Sequence, residues 1–585
     1  MQVSVVADDP VREAVVAALD DVDIDVRDAD PESLADARFA VVSDVAGSAA
    51  FDRANEAALE GGTPWIAVEI GGVGGYPIPN VDAAATGFAP ATGCFDCLRA
   101  RVASNLEEQG DTPKADRSAA RLAGAIAGRE CVRVLSGDEQ SIIGTVREVP
   151  HARRPLLPVP GCTCADESRD RTLERDAESL ALEAAVEHAE RAIDDRVGPV
   201  SSIAEVESFP APYYLATVAD TTAYSDASAP RQAAGVADDW NAALMKAVGE
   251  GLERYCAGVY REEEFVHASE NDLENPVSPT ALVRPDDARA YDASDEHRWV
   301  PGENLASGER AHLPAAAVQF PQPGDDLVPA ITTGLGLGSS TVDALVSGLT
   351  ETIERDATML AWYSTFEPLG LSVDTEAFDR LERRARSEGL SVTPLLVTQD
   401  IDVPVVAVAV HRDPDAIGGA VLPTDDAWPA FALGSAAGLD AAAAATAALE
   451  EALQNWTELR SLGPDEAADA GGAIGDYAAF PERAREFVDA DRTVPAASVG
   501  PDPVPTGVDR LEALCERTVD AGLTPYAARV TTRDVEQVGF EAIRVVVPGA
   551  QPLFTGEPFF GERARTVPAD LGFESRLERA FHPYP

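Results

Sequence analysis

The 585 residues carry 101 Asp plus Glu against 46 Lys plus Arg, a formal charge of -55, and 45% of them are hydrophobic. That much apolar material packs cores for two or three domains and excludes a disordered chain. So negative a field excludes nucleic acid as a main partner, because a phosphate backbone needs a basic stripe.

Lys114 and Lys246 are the only two lysines, and neither sits in a Gly-Lys-Ser/Thr loop. A Walker-type ATP loop is thereby excluded. An acidic, Lys-poor, Ala-rich and Asp-rich surface implies a cytoplasm kept at molar salt, where screening relieves self-repulsion. The opening MQVSVVADDP lacks a basic stretch followed by an apolar run, and no charge-free apolar stretch reaches spanning length. A cytoplasmic protein with no signal peptide and no membrane span is the expectation.

Residues 2–7 read as a strand, 10–20 as a helix, 38–43 as a strand, 50–60 as a helix and 64–70 as a strand. Period 3.6 alternates with short β-branched runs, so the first part is α/β, and the connection rule makes it Rossmann-like. ADDP follows the first strand where a dinucleotide-binding domain has its glycine fingerprint. A Pro-rich stretch over 151–172 precedes a long helical pattern over 173–194. The composition shift places a boundary near 170, dividing the chain into 1–170 and 171–585. The second part mixes Ala-rich helices with strands such as 403–410 and 542–549, a large α+β unit. Segments 268–310 and 462–507, rich in Asp, Pro and Gly, read as surface excursions.

Four of seven cysteines form two close pairs, Cys94 with Cys97 and Cys162 with Cys164. Four thiolates close a tetrahedral zinc site and leave no open position, which points to structural Zn2+ rather than catalysis. Redox chemistry at the CxxC pair is the rival reading. Cys131, Cys256 and Cys515 read as buried small hydrophobes.

Three helical segments share one organisation. Residues 242–258 carry Glu250, Glu253 and Arg254; residues 342–358 carry Asp343, Glu351, Glu354 and Arg355; residues 445–456 carry Glu451 and Gln454. The i,i+3 spacing puts each glutamate pair on one helix face. Apolar flanks place the carboxylates near the core, where a hard divalent cation with phosphate co-ligands is the natural compensation. Arg254 and Arg355 could hold phosphate oxygens or orient the carboxylates. ITTGLGLGSST, residues 331–341, offers glycines for close backbone approach and exposed N–H groups near a helix start. ExxE on a helix also arises by chance in so acidic a chain.

GEGLERY, GLGLGSSTVDALVSGLTETIERDA, EEALQNW and the terminal HPYP resemble successive motifs of the YcaO superfamily over roughly 175–585. The resemblance implies an ATP-binding fold of the family's own kind that activates peptide amides. It implies Mg2+ ligation by Glu250, Glu253, Glu351 and Glu354. It sets Ser339, Asp343, Arg254, Arg355, Glu451 and Gln454 around ATP. In the family reaction a nucleophile adds to the amide carbonyl, the oxyanion takes the γ-phosphoryl group, and phosphate leaves to give an azoline or a thioamide. Lys246 stands where the family often has serine, and AAGVADDW replaces a glycine-lysine-glycine stretch. TPWIAVEIGGVGGYPIP with CFDCLRARVASN resembles the ThiF-like partner domain of azole-forming cyclodehydratases. That resemblance implies a truncated scaffold or substrate-presenting unit that does not adenylate. The implied partners are a peptide or protein substrate and a peptide-modifying or sulfur-donor protein. A homodimer is compatible with the same reading. Sulfur transfer to another target such as RNA, or a non-catalytic scaffold of the same fold, are the alternatives.

The last five residues, FHPYP, pair two prolines with Phe581 and Tyr584 as anchors. The expectation is a docked tail in which His582, titrating near neutrality, and the α-carboxylate of Pro585 supply the base or orient the nucleophile. A frayed end is the plain alternative.

Overall fold

A computed structural model describes residues 2–585 apart from 107, 111, 115, 139, 166–168, 176–177, 325–326, 413–427 and 469–472. Strands Gln2–Val6, Asp25–Asp28, Ala40–Val45 and Trp65–Ile70 pair in parallel. Strands Ala83–Phe88, Thr145–Val149 and Ala152–Pro155 extend the same sheet antiparallel. Three of the four parallel strands are where the alternating periods predict them; Asp25–Asp28 is not signalled. The antiparallel half is not signalled, because its strands are short and Ala- or Arg-rich. Helix Val11–Asp20 buries Val11, Val15 and Leu19, the apolar stripe that its period requires.

Downstream lie three further sheets. Strands Val200–Glu207, Tyr213–Val218 and Gln232–Val236 form an antiparallel three-stranded sheet. A mixed-length sheet of six runs Val266–Ser269, Glu296–Asn304, Tyr526–Arg529, Glu541–Val546, Leu335–Gly338, with Arg310–Pro314 also paired to Glu296–Asn304. The third joins Phe431–Ala437, Val405–His411, Ser391–Leu396, Leu369–Ser372 and Thr493–Pro495.

Three expectations change. The helix expected over 173–194 occupies only Leu182–Glu190. Residues 169–175 instead cross the protein as irregular chain: Arg169 and Arg171 donate to the carbonyls of Val259 and Arg529, and Leu173 is buried. Tertiary hydrogen bonds there outweigh local helix propensity. Residues 176–177, and 469–472 in the second excursion, lie outside the described residues. The excursion expected over 268–310 contains the strand Glu296–Asn304, whose Trp299 and Val300 are fully buried. The excursion expected over 462–507 contributes Tyr477 and Phe487, which pack edge-on against Trp362. Cys131, Cys256 and Cys515 are buried, as their isolation predicts. Among the described residues, no helix is long and apolar enough to cross a membrane.

Candidate functional site

The three acidic segments are helices Trp240–Gly258, Thr341–Trp362 and Ala441–Ala467, the last broken at Gly463. Each begins on a side-chain cap. Asp239 accepts from the Ala242 N–H, Ser340 from that of Asp343, and Asp440 from those of Ala442 and Ala443. Each packs against the strand that precedes it: Gln232–Val236, Leu335–Gly338 and Phe431–Ala437. Glycine permits the approach. A Cβ on Gly336 would lie 2.3 Å from the Ala344 carbonyl oxygen, and one on Gly434 would lie 2.4 Å from that of Ala448. The glycines before the second helix thus give the close backbone approach expected of them, here between strand and helix, and the Gly334 N–H is taken by Glu351.

The units are joined in a ring. The first helix also touches the strand of the second unit, the second helix touches that of the third, and the third helix touches that of the first. Their glutamates consequently converge. One glutamate of each helix accepts a backbone N–H from the neighbouring strand region: Glu250 from Ala234 at 2.9 Å, Glu351 from Gly334 at 3.1 Å and Glu451 from Ser435 at 2.5 Å. The buried Glu354 accepts from the Ser435 hydroxyl at 2.7 Å, which links the second unit to the third.

Arg355 sits among these carboxylates, 3.5 Å from Glu354, 3.8 Å from Glu451 and 4.0 Å from Glu351. Its Nη1 is buried without a hydrogen-bond partner. Burial works against its charge, but Glu354, Glu451 and Glu351 outweigh that and hold the guanidinium above its ordinary range. Arg254 pairs with Glu250 and donates to the Gln232 carbonyl. Gln454 donates to Glu458 at 3.1 Å. Ser339 donates to Asp343 and accepts from the Leu180 N–H at the start of the second helix. Eight residues separate Asp343 from Glu351, about 12 Å along a helix, so these two polar groups stand apart from the glutamates.

Burial raises the carboxyl groups. Glu253 is pushed up to about 8 by burial, then by Glu351 and Glu250, and Glu354 to about 8 by burial and Glu451 against Arg355. Glu250, Glu351 and Glu451 are raised for the same first reason. Lys246, in the position that departs from the YcaO pattern, pairs with Glu450 at 2.5 Å. Sequence reasoning missed Arg544. Burial lowers it to about 10 against the pull of Glu351 and Glu253, and it donates to the carbonyls of Ile331 and Thr332. A lone arginine inside the apolar strand AIRVVV is the signal that could have found it.

The carboxylates Glu250, Glu253, Glu351, Glu354, Glu450, Glu451 and Glu458 outnumber Arg254, Arg355, Arg544 and Lys246. Among the described residues, no three of them bring oxygens within 4.8 Å of one another, as the four cysteine sulfurs do. The donor set fits Mg2+, which takes one or two protein carboxylates and completes its octahedron with water and phosphate oxygens.

Cys94 caps the helix Phe95–Ser104, which carries Cys97. The Sγ atoms are 3.9 Å apart for Cys94–Cys97, 3.7 Å for Cys94–Cys162 and 3.6 Å for Cys97–Cys164. A zinc tetrahedron with bonds of about 2.3 Å has edges of about 3.8 Å, so the four sulfurs fit the ion. The Val159 N–H donates to Cys97 Sγ and the Arg533 guanidinium to Cys164 Sγ, which favours the thiolate form that binds a metal.

The tail is docked. Tyr477 donates to the Phe581 carbonyl at 2.6 Å, Trp362 to that of Ala580 at 3.1 Å, and Phe581 packs edge-on against Phe554. Tyr584 is buried beside Glu354 and Arg355, and its hydroxyl is raised by burial and by Glu354. His582 is fully buried and donates from Nε2 to the Phe554 carbonyl at 2.7 Å. Burial lowers it to about 4. The expectation that it titrates near neutrality is thus corrected: the imidazole stays uncharged and anchors the chain end.

The family described as YcaO cyclodehydratase, ATP- and Mg2+-binding, matches residues 234–551, which hold all three helices. An uncharacterized protein of Methanothermobacter thermautotrophicus is 31% identical over 188 residues, 29% of this chain and 47% of that relative. The match therefore spans about half the relative's length. A heterocyclase solved in complex with substrate and cofactor superposes with a TM-score of 0.75 at 18% identity, covering 100% of this chain and 85% of its own. The heterocyclase TruD does so with a TM-score of 0.68 at 19% identity, covering 98% and 82%. At such identities the likeness is one of fold. With the family match covering more than half of its residues, the chain belongs to the YcaO cyclodehydratase family.

Proposed function

We propose that the protein consumes ATP to activate a backbone amide of a peptide, giving an azoline or a thioamide. The observation that carries this reading is the convergence, at one enclosed place, of glutamates from three helices, Arg355 with an Nη1 that makes no hydrogen bond, and the docked chain end. Glu250, Glu253, Glu351 and Glu354 would hold Mg2+, with Glu451 orienting Arg355. Bound magnesium and ATP supply the phosphoryl group and the charge that draws it. Arg355 offers its unpaired N–H to an incoming phosphate oxygen. Arg254 and Gln454 set the outer glutamates, and Ser339 with Asp343 line the far end of the nucleotide site. His582 fixes the tail, and the Pro585 carboxylate accepts the proton of the attacking group.

Residues 1–170 form, on this reading, a truncated ThiF-like unit that presents the peptide and is stapled by Zn2+ at Cys94, Cys97, Cys162 and Cys164. The enzyme works in a cytoplasm of molar salt. Glu351→Gln or Glu354→Gln lowers magnesium-dependent ATP hydrolysis roughly a hundredfold in a folded protein. ATP turnover with unchanged magnesium dependence in both variants overturns the assignment.

A further inference from the structure

A cavity of about 630 Å³ lies where the cysteine loop meets the downstream sheets, and Arg169, Arg171, Arg261, Arg529 and Arg533 line it. Five arginines around one cavity are conspicuous in a chain with a net charge of -55. Two of them are spent. Arg169 donates to the Val530 and Val259 carbonyls, and Arg529 is held by Glu541 and Glu536. Arg533 donates to Cys164.

The others keep free capacity. Nη2 of Arg171 has no hydrogen bond, and its nearest carboxylate, Glu264, is 3.7 Å away. Burial, then Arg169 and Arg529, lower Arg171 to about 9, so its charge is under-compensated. Nε of Arg261 has no partner, and the side chain lies against Gly161, where a Cβ would come within 3.0 Å. On the same wall Glu264 Oε2 accepts no hydrogen bond, although it lies 3.2 Å from Arg169 Nε, and Asp170, Glu263 and Glu536 also line the space.

We propose that this cavity binds an acidic segment of a peptide, with a side-chain or terminal carboxylate held by Arg171 and Arg261 and a backbone N–H taken by Glu264. The chemistry selects the class. Unpaired guanidinium donors match a carboxylate. The carboxylates of the same wall disfavour a densely charged polyphosphate, which has no donors, more than a peptide, whose backbone N–H groups can meet them. Arg529 ends the strand Tyr526–Arg529, and Glu541 opens the strand Glu541–Val546, which carries Arg544 and pairs on its other side with Leu335–Gly338. A segment held in the cavity is thus tethered to the sheet that supports the glutamates. The inference rests on the peptide-substrate reading.

The test uses the full chain, loaded with zinc, at the lowest KCl concentration that keeps it folded. The probe is a fluorescein-labelled Gly-Asp-Glu-Ser-Asp-Gly peptide, read by anisotropy beside its Asn/Gln counterpart. The acidic peptide binds at least tenfold more tightly, and Arg171→Gln and Arg261→Gln each remove that preference. Arg261→Gln is the safer variant, because no hydrogen bond of the fold depends on that side chain. Equal binding of the two peptides, or full preference retained by both variants, overturns the proposal. So does displacement of the acidic peptide by equimolar pyrophosphate, which assigns a phosphate site instead. Magnesium-dependent ATP hydrolysis is measured alongside. Peptide preference without hydrolysis sinks the enzymatic reading alone, and hydrolysis without preference sinks the cavity alone.

Discussion

Arg101, on the helix that carries Cys97, forms a fully buried ion pair with Asp534, 433 residues along the chain. The same guanidinium donates to the carbonyls of Pro158 and Leu157 and to the hydroxyls of Tyr224 and Tyr255. Tyr255 in turn donates to Asp534 at 2.7 Å, two residues after Glu253 on the first acidic helix. One side chain therefore ties the cysteine loop to the helix that bears two of the glutamates. Truncating a single partner leaves the other charge buried and unpaired. Arg101→Met costs about 3–5 kcal/mol of stability, measured by denaturant melts, whereas Arg101→Met with Asp534→Leu recovers part of it. A single variant as stable as the parent would falsify this account.

The four cysteines should bring close to one zinc per chain in metal analysis of the purified protein. Cys94→Ser and Cys162→Ser each release it. Because ligand binding is folding free energy at such a site, both variants lose stability in the part that holds the seven-stranded sheet. Full zinc content in both would show that another set of ligands holds the metal.

The docked tail gives a pH dependence with a definite sign. His582 falls from an ordinary 6.5 to about 4 because burial disfavours its charge, with the neighbouring Arg355 adding to the effect. The neutral form is the one the fold accommodates. Stability from this group is complete above pH 6.5 and is lost as pH falls through the window down to about 4, by roughly 3 kcal/mol at most. Trp362, bonded to the tail at Ala580, reports the change by fluorescence. His582→Gln flattens the transition. A parent protein whose fluorescence is constant from pH 7 to pH 4 contradicts the buried neutral imidazole.

The tail also tests the reaction. Adding a few residues after Pro585 leaves ATP binding and folding nearly intact while greatly lowering substrate-dependent phosphate release; deleting residues 583–585 lowers it too, and by removing the buried Tyr584 it also costs stability. Parent rates in both forms would remove the chain end from catalysis.

Salt provides the last measurement. With a formal charge of -55, screening in molar KCl relieves repulsion among surface carboxylates, so the melting temperature rises from 0.1 M to 2 M KCl, over which the Debye length falls from about 10 Å to about 2 Å. A flat profile speaks against salt adaptation.

By itself the sequence determined the local features. Periodicity located the three acidic helices, the early parallel strands and the strands near 405 and 541. Residue spacing paired Glu250 with Glu253 and Glu351 with Glu354, and chemistry grouped the four cysteines. These follow from neighbours within a few residues, where helix and strand periods act. Only the tertiary structure decided what crosses the chain. It closed the three strand–helix units into a ring, brought Arg544 behind the glutamates and joined Arg101 to Asp534. It also kept the start of the helix expected over 173–194 in an irregular strap that runs from 169 to 175, and made a buried anchor of His582. The reason is physical: burial and long-range hydrogen bonds set the charge state and conformation of these groups, and neither is written in the residues beside them.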